Sequence, residues 1–167
     1  MNSSLRSFTE GTANTPFKEI RGCLAALAGK LDISAVLLLT SSGELVAEHR
    51  TSSWKGDTTL FATLAASTYA AAREMARISG EPGNFRMVLH EGMEHNVYIS
   101  ALGGGYILIV CFPKSAAVGM VRLFTRKTAG RLSSLLSLAG KRTEHPGRVF
   151  NRQFQSLLDR ELDRSFT

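Results

Sequence analysis

The sequence predicts an α/β fold of the α+β kind, in which an antiparallel sheet is covered by helices on both faces to give three layers. Three observations carry that expectation. Ala35–Leu39 and Tyr106–Phe112 are unbroken apolar runs, the pattern of central strands with neither face in water. One long, alanine-laden helical segment, Asp57–Ser79, separates a two-strand unit from a group of three strands, Phe85–Phe112. Two further helical segments flank the strands, one before Ala35 and one after Phe112.

Phe17, Ile20, Leu24, Leu27 and Leu31 recur at spacings of three and four, one helical stripe, and Pro16 stands near the first turn, where a missing N–H costs little. Ala35–Leu39 is the first strand. Ser41-Ser42-Gly43 has turn chemistry, and Glu44–His49 then alternates through Leu45 and Ala47. A loop, Thr51–Gly56, carries the sole tryptophan, Trp54. Asp57 is placed to cap the next helix by accepting from the backbone N–H groups ahead of it.

On that helix Leu60, Leu64, Thr68, Ala71, Met75 and Ile78 are read as the stripe facing the sheet. Beside it run Phe61, Ala62, Ala65, Ala66, Tyr69, Ala72, Arg73 and Ala76, small and little charged, so a second helix could approach closely. Phe61, Ala62, Ala65, Tyr69, Ala72, Arg73, Ala76 and Arg77 are accordingly expected to meet a partner protein.

Glu81-Pro82-Gly83-Asn84 breaks the chain before Phe85. His90-Glu91-Gly92-Met93-Glu94-His95 is one residue too long for either HExxH or HxxEH, which also need an uninterrupted helix, so no metal is expected there. A hairpin with Gly92-Met93 as its turn would set His90 opposite His95, Val88 opposite Val97 and Met87 opposite Tyr98. Gly103-Gly104-Gly105 lacks the Lys-Ser/Thr of a phosphate loop and leads into a strand, so it reads as a turn between strands. Pro113 ends the last strand and Ser115 is expected to cap the last helix. Its buried stripe would be Ala117, Val121, Phe124, Thr128, Leu132, Leu135 and Ala139.

Composition narrows the function classes. With 167 residues, 44% of them hydrophobic and 20% charged, the chain can bury one full core. No apolar run is long enough to span a bilayer. Residues 1–16 read as a flexible leader without an export signal, and Cys23 and Cys111 lie in apolar segments as buried thiols would, so a cytoplasmic location is expected. The net charge of +6 is concentrated between Lys114 and Arg148, where eight cations face Glu144 alone. After the charged linker Lys141–Arg148, Phe150, Phe154, Leu157, Leu158 and Leu162 recur at helical spacing, a short amphipathic arm.

The ordered pattern resembles the Roadblock domain family, and especially its bacterial MglB-type members. The resemblance rests on Ala35–Ala47 with its Ser41-Ser42-Gly43 turn, the alanine-rich helix from Asp57, the strand Tyr106–Val110 and the stretch Val118-Gly119-Met120-Val121-Arg122. It covers residues 17–140, leaving the leader and the segment 141–167 outside. It implies a Roadblock/profilin-like fold: a five-stranded antiparallel sheet, with the first and last core helices on one face and the alanine-rich helix on the other. It also implies a homodimer in which the edge strand Phe85, Arg86, Met87, Val88, Leu89 and His90 pairs with its twin. In that dimer the alanine-rich helices, with Ala66, would lie antiparallel. Such a dimer resembles a docking platform for a small Ras-like GTPase whose GTP hydrolysis it promotes, while eukaryotic relatives scaffold GTPases or dynein intermediate chains. Arg73 and Arg77 are arginine-finger candidates by location alone.

The leading expectation is therefore a homodimeric regulator or scaffold of a small Ras-like GTPase, with no catalytic residues, cofactor or metal of its own. Two alternatives remain open. One is a dimeric adaptor that recruits another protein through the Phe150–Leu162 arm. The other is a nucleic-acid or anionic-surface binder that uses the basic last helix, although few aromatics interleave with its charges. No serine stands in a G-x-S-x-G turn and no acid pair is set by spacing, which argues against an enzyme.

Overall fold

The computed structural model describes residues 15–140. In chain order these form α1 (Thr15–Ala28), β1 (Ala35–Thr40), β2 (Leu45–Arg50), α2 (Thr58–Ile78), β3 (Met87–Glu91), β4 (His95–Gly103), β5 (Tyr106–Pro113) and α3 (residues 118–140). The five strands make one antiparallel sheet in the order β2-β1-β5-β4-β3. The apolar runs occupy its middle: β1 and β5 pair along their length from Ala35–Cys111 to Thr40–Tyr106. The hydroxyl and the amide of Ser34 both donate to the Cys111 carbonyl at 2.9 Å, fastening the start of β1 to the end of β5.

Because β1 and β5 alternate between two covered faces, the protein has two cores. On one face Val36, Leu38, Leu108, Val110 and Phe112 pack with Ile20, Leu24 and Leu27 of α1 and Val121, Leu132 and Leu135 of α3. On the other, Leu37, Leu39, Ile99, Ile107 and Ile109 pack with Ala62, Ala65, Ala66 and Tyr69 of α2. Each fully buried leucine contributes about 2 kcal/mol by its removal from water. This is the three-layer arrangement expected, two helices against one.

Local chemistry sets the boundaries. Asp57 Oδ1 accepts from the amides of Thr59 and Leu60 at 2.9 and 3.1 Å, capping α2, and Ser79 closes its far end. Gly43 takes φ +98° in the β1–β2 turn, and Gly103, Gly104 and Gly105 all have positive φ in the β4–β5 turn. Trp54 stacks edge-on to Phe61 with centroids 5.0 Å apart, pinning the loop before α2.

The structure corrects four expectations. The β3–β4 register is shifted by two: Val88 faces Ile99, Leu89 faces Tyr98 and His90 faces Val97. The turn residues are Met93 and Glu94, because the Gly92 amide donates to the carbonyl of His95 (3.1 Å) and to Asn96 Oδ1 (3.2 Å). His90 and His95 are therefore not opposed. Strand β3 begins at Met87, so Phe85 and Arg86 lead into it. Helix α3 begins at residue 118 and not behind Ser115, with the Ala117 carbonyl accepting from the amides of Met120 and Val121. Its buried stripe keeps Val121, Leu132 and Leu135, but Thr125 and Leu136 join it and Ala117 is exposed.

The fourth correction concerns α2, whose two faces are exchanged. Ala62, Ala65, Ala66 and Tyr69 are buried against the sheet, and Ala72 and Ala76 are buried as well. Leu60, Leu64, Met75 and Ile78 are 59, 57, 63 and 72% exposed. The reason is volume. The sheet face beneath α2 is already filled by leucine and isoleucine, so the helix seats mainly through alanine methyl groups, with Tyr69, and turns Leu60, Leu64, Met75 and Ile78 outward.

Candidate interaction surfaces

Two surfaces stand out, one on a helix and one along a strand. The first is the outer face of α2. Leu60, Leu64, Ala71, Met75 and Ile78 fall at helical spacing on the side away from the sheet and are exposed. From Leu60 to Ile78 the row runs about 27 Å. The row is an exposed apolar surface on an otherwise well-packed protein.

Of the residues expected to meet a partner, Ala62, Ala65, Tyr69, Ala72 and Ala76 are withdrawn from this surface by the exchange of faces, as is the expected dimer residue Ala66. Phe61 is half-buried against Trp54. Arg73 and Arg77 are exposed. Arg77 Nε donates to both Glu74 carboxylate oxygens at 3.0 Å. That hydrogen bond raises the Arg77 pKa and lowers that of Glu74. Arg73 has no carboxylate partner among the described residues, so it is the less restrained of the two arginines.

The second surface is the free edge of β3. The opposite edge, β2, is blunted: it carries Glu48, His49 and Arg50, with Glu48 and Arg50 ion-paired at 2.9 Å, and its pairing with β1 is interrupted by a bulge at Leu38/Leu39. Strand β3 opens with Met87, Val88 and Leu89, all half-buried, and has no bulge in its pairing with β4. The expected dimer residues Met87, Val88 and Leu89 are thus brought together on a bare edge, with Phe85 and Arg86 just ahead of them.

Beside this edge lies a cleft of about 970 Å³ that the sequence did not disclose. It is formed where β3 stops short of the β4–β5 glycine turn. Arg73, Arg86, Arg122 and Arg126 line it, together with Phe85, Met87, Tyr98 and Leu123, and no carboxylate does. Burial pushes the Tyr98 phenol above its ordinary pKa, while the neighbouring Arg122 and Arg126 pull it down. The basic character of the last helix was legible, but the convergence of two of its arginines on the β3 edge depends on how α3 crosses the sheet.

No group of three or more His, Cys, Asp or Glu able to hold a metal occurs among the described residues, and none of their helices is long and apolar enough to cross a membrane. The expected arm residues Phe150, Phe154, Leu157, Leu158 and Leu162 lie outside the described residues.

The Roadblock/LC7 domain profile matches residues 23–112, more than half of the chain. Among solved structures, MglB of Myxococcus xanthus superposes with a TM-score of 0.69 at 27% identity, covering 74% of this chain and 91% of that one. The gliding protein mglB of Thermus thermophilus gives 0.66 at 22% identity, covering 72% and 90%. A Roadblock/LC7 domain from Streptomyces avermitilis gives 0.65 at 19% identity, covering 70% and 97%. Among curated proteins none matches in sequence. A five-stranded sheet in the order β2-β1-β5-β4-β3, two helices on one face and one on the other, and a profile match from α1 through β5 lead to one assignment: the chain belongs to the Roadblock/LC7 family.

Proposed function

We propose that the protein is a homodimeric, non-catalytic regulator or scaffold of a small Ras-like GTPase. The observation that carries this reading is the outward row Leu60, Leu64, Met75 and Ile78 on α2, beside the bare β3 edge, in a chain that resembles MglB. Two copies joined at β3 would extend the sheet and bring their α2 helices side by side. The row is long enough to give a twin helix and a third protein separate footholds. Arg73, exposed and without a carboxylate partner among the described residues, is the candidate contribution of this chain in trans.

The test uses the full chain and a purified small Ras-like GTPase from the same organism, loaded with GDP or with a non-hydrolysable GTP analogue. Capture of the GTP-analogue form, lost in Leu60→Glu and Met75→Glu, supports the reading. Failure of a dimeric wild-type protein to capture either form overturns it. Single-turnover GTP hydrolysis with and without the protein then separates an activator from a scaffold, and Arg73→Ala reports on any contribution of that side chain.

A further inference from the structure

The main-chain hydrogen bonds of β3 fix which of its residues can bond a second strand. The Arg86 carbonyl accepts from the Ala101 amide at 3.3 Å, and the Gly92 amide donates to the His95 carbonyl. In an antiparallel pair the amide and carbonyl of one residue point to the same neighbour, and residues alternate. Even-numbered residues of β3 therefore bond β4. Met87, Leu89 and Glu91 direct their amides and carbonyls to the open edge.

A two-fold pairing that uses all three sets Leu89 opposite the partner's Leu89, and Met87 opposite the partner's Glu91. A slip of two residues in either direction loses bonded pairs. Such an axis runs perpendicular to the sheet, so each face of one copy continues into the same face of the other. Met87 and Leu89 pack on the α1/α3 side, whereas Val88 packs on the α2 side. Glu91 shares the parity of Met87 and Leu89, and so stands on the side where Arg122 and Arg126 line the cleft with Met87 and Tyr98.

Resting on the homodimer reading above, we infer that the cleft is completed by the β3–β4 hairpin of a second copy, whose Glu91 is the carboxylate that Arg122 and Arg126 receive. Charge complementarity supports this occupant, because the cleft holds four arginines and no acid while the hairpin carries Glu91 and Glu94. Apolar complementarity does too. Met93 at the hairpin tip is 89% exposed, and the same register carries it toward the partner's Phe85. The symmetry makes the clamp double, one at each end of the paired strands.

Cysteine scanning of the full chain tests the register, since Cys23 and Cys111 are buried. Under mild oxidation Leu89→Cys gives a covalent dimer, and Val88→Cys and His90→Cys do not. Cross-linking through Val88→Cys or His90→Cys overturns the register, as does a dimer in which none of the three cross-links. Charge exchange tests the clamp. Glu91→Arg raises the dimer dissociation constant about tenfold, and combining it with Arg122→Glu and Arg126→Glu restores the wild-type value within about twofold. A dissociation constant unmoved by Glu91→Arg and by Glu91→Gln rejects the clamp and leaves the dimer standing. A wild-type protein that does not self-associate instead rejects the homodimer reading.

Discussion

Ala66 of α2 touches the β1–β2 turn: a Cβ built on Gly43 would lie 3.3 Å from the Ala66 methyl. Helix and turn are in contact through the smallest groups available, and Gly43 holds φ +98° there. Ala66→Leu is expected to lower stability by about 2 kcal/mol through overpacking. Gly43→Ala, which adds left-handed strain to the same contact, is expected to cost about 1–2 kcal/mol. Urea midpoints measured by circular dichroism at unchanged slope check both.

The two faces of α2 are expected to separate folding from association. Ala62→Glu or Ala65→Glu forces a charge against Leu37, Ile107 and Ile109, and lowers stability by about 3 kcal/mol or more. Leu64→Glu stands on the outer face and leaves each protomer folded, its urea midpoint lowered only by the loss of the second copy. It abolishes partner capture none the less. Urea titrations paired with a pull-down of the GTPase read both quantities on the same samples.

Thr125 has no exposed surface, and its hydroxyl has no hydrogen-bond partner among the described residues. Thr125→Val keeps the shape and removes the unsatisfied group. It is expected to stabilise the protein by about 1 kcal/mol, seen as a higher urea midpoint.

Burial pushes the Cys111 thiol up from 9.0 to about 12. The sign follows from proton binding: above the unfolded value the unfolded chain has released the thiol proton and the folded chain still holds it. This contribution to stability is therefore complete below pH 9 and is lost as pH climbs toward 12, at about 1.4 kcal/mol per pH unit. Tyr98, also raised by burial, acts in the same direction at alkaline pH. Urea midpoints at pH 8 and pH 10 for wild type and Cys111→Ala check this, with the variant showing the shallower loss.

What could be read from the residues, and what could not, divides along physical lines. The doubly apolar strands Ala35–Leu39 and Tyr106–Phe112, the Asp57 cap and the glycine turn at 103–105 were all legible, because local chemistry decides them. Which face of α2 meets the sheet was not, because it turns on the volume left by Leu37, Leu39, Ile99, Ile107 and Ile109, residues distant in sequence. Large apolar residues normally mark the inside of a helix, and here they mark the side left for something else. The hairpin register failed for a subtler reason. Gly92 is needed for close approach, not for its φ: a Cβ there would sit 2.4 Å from the His95 carbonyl oxygen, so the turn moves one residue onward to Met93-Glu94. The arginine cleft could not be read at all, since Arg86 and Arg122 meet only through the fold.

Sedimentation equilibrium of the wild-type full chain at micromolar concentration tests the central claim, that the surface offered to a GTPase is built by two copies. A species of twice the 18.1 kDa chain mass is expected, reduced to the single mass by Leu64→Glu. A wild-type protein that stays at 18.1 kDa across the micromolar range would contradict it.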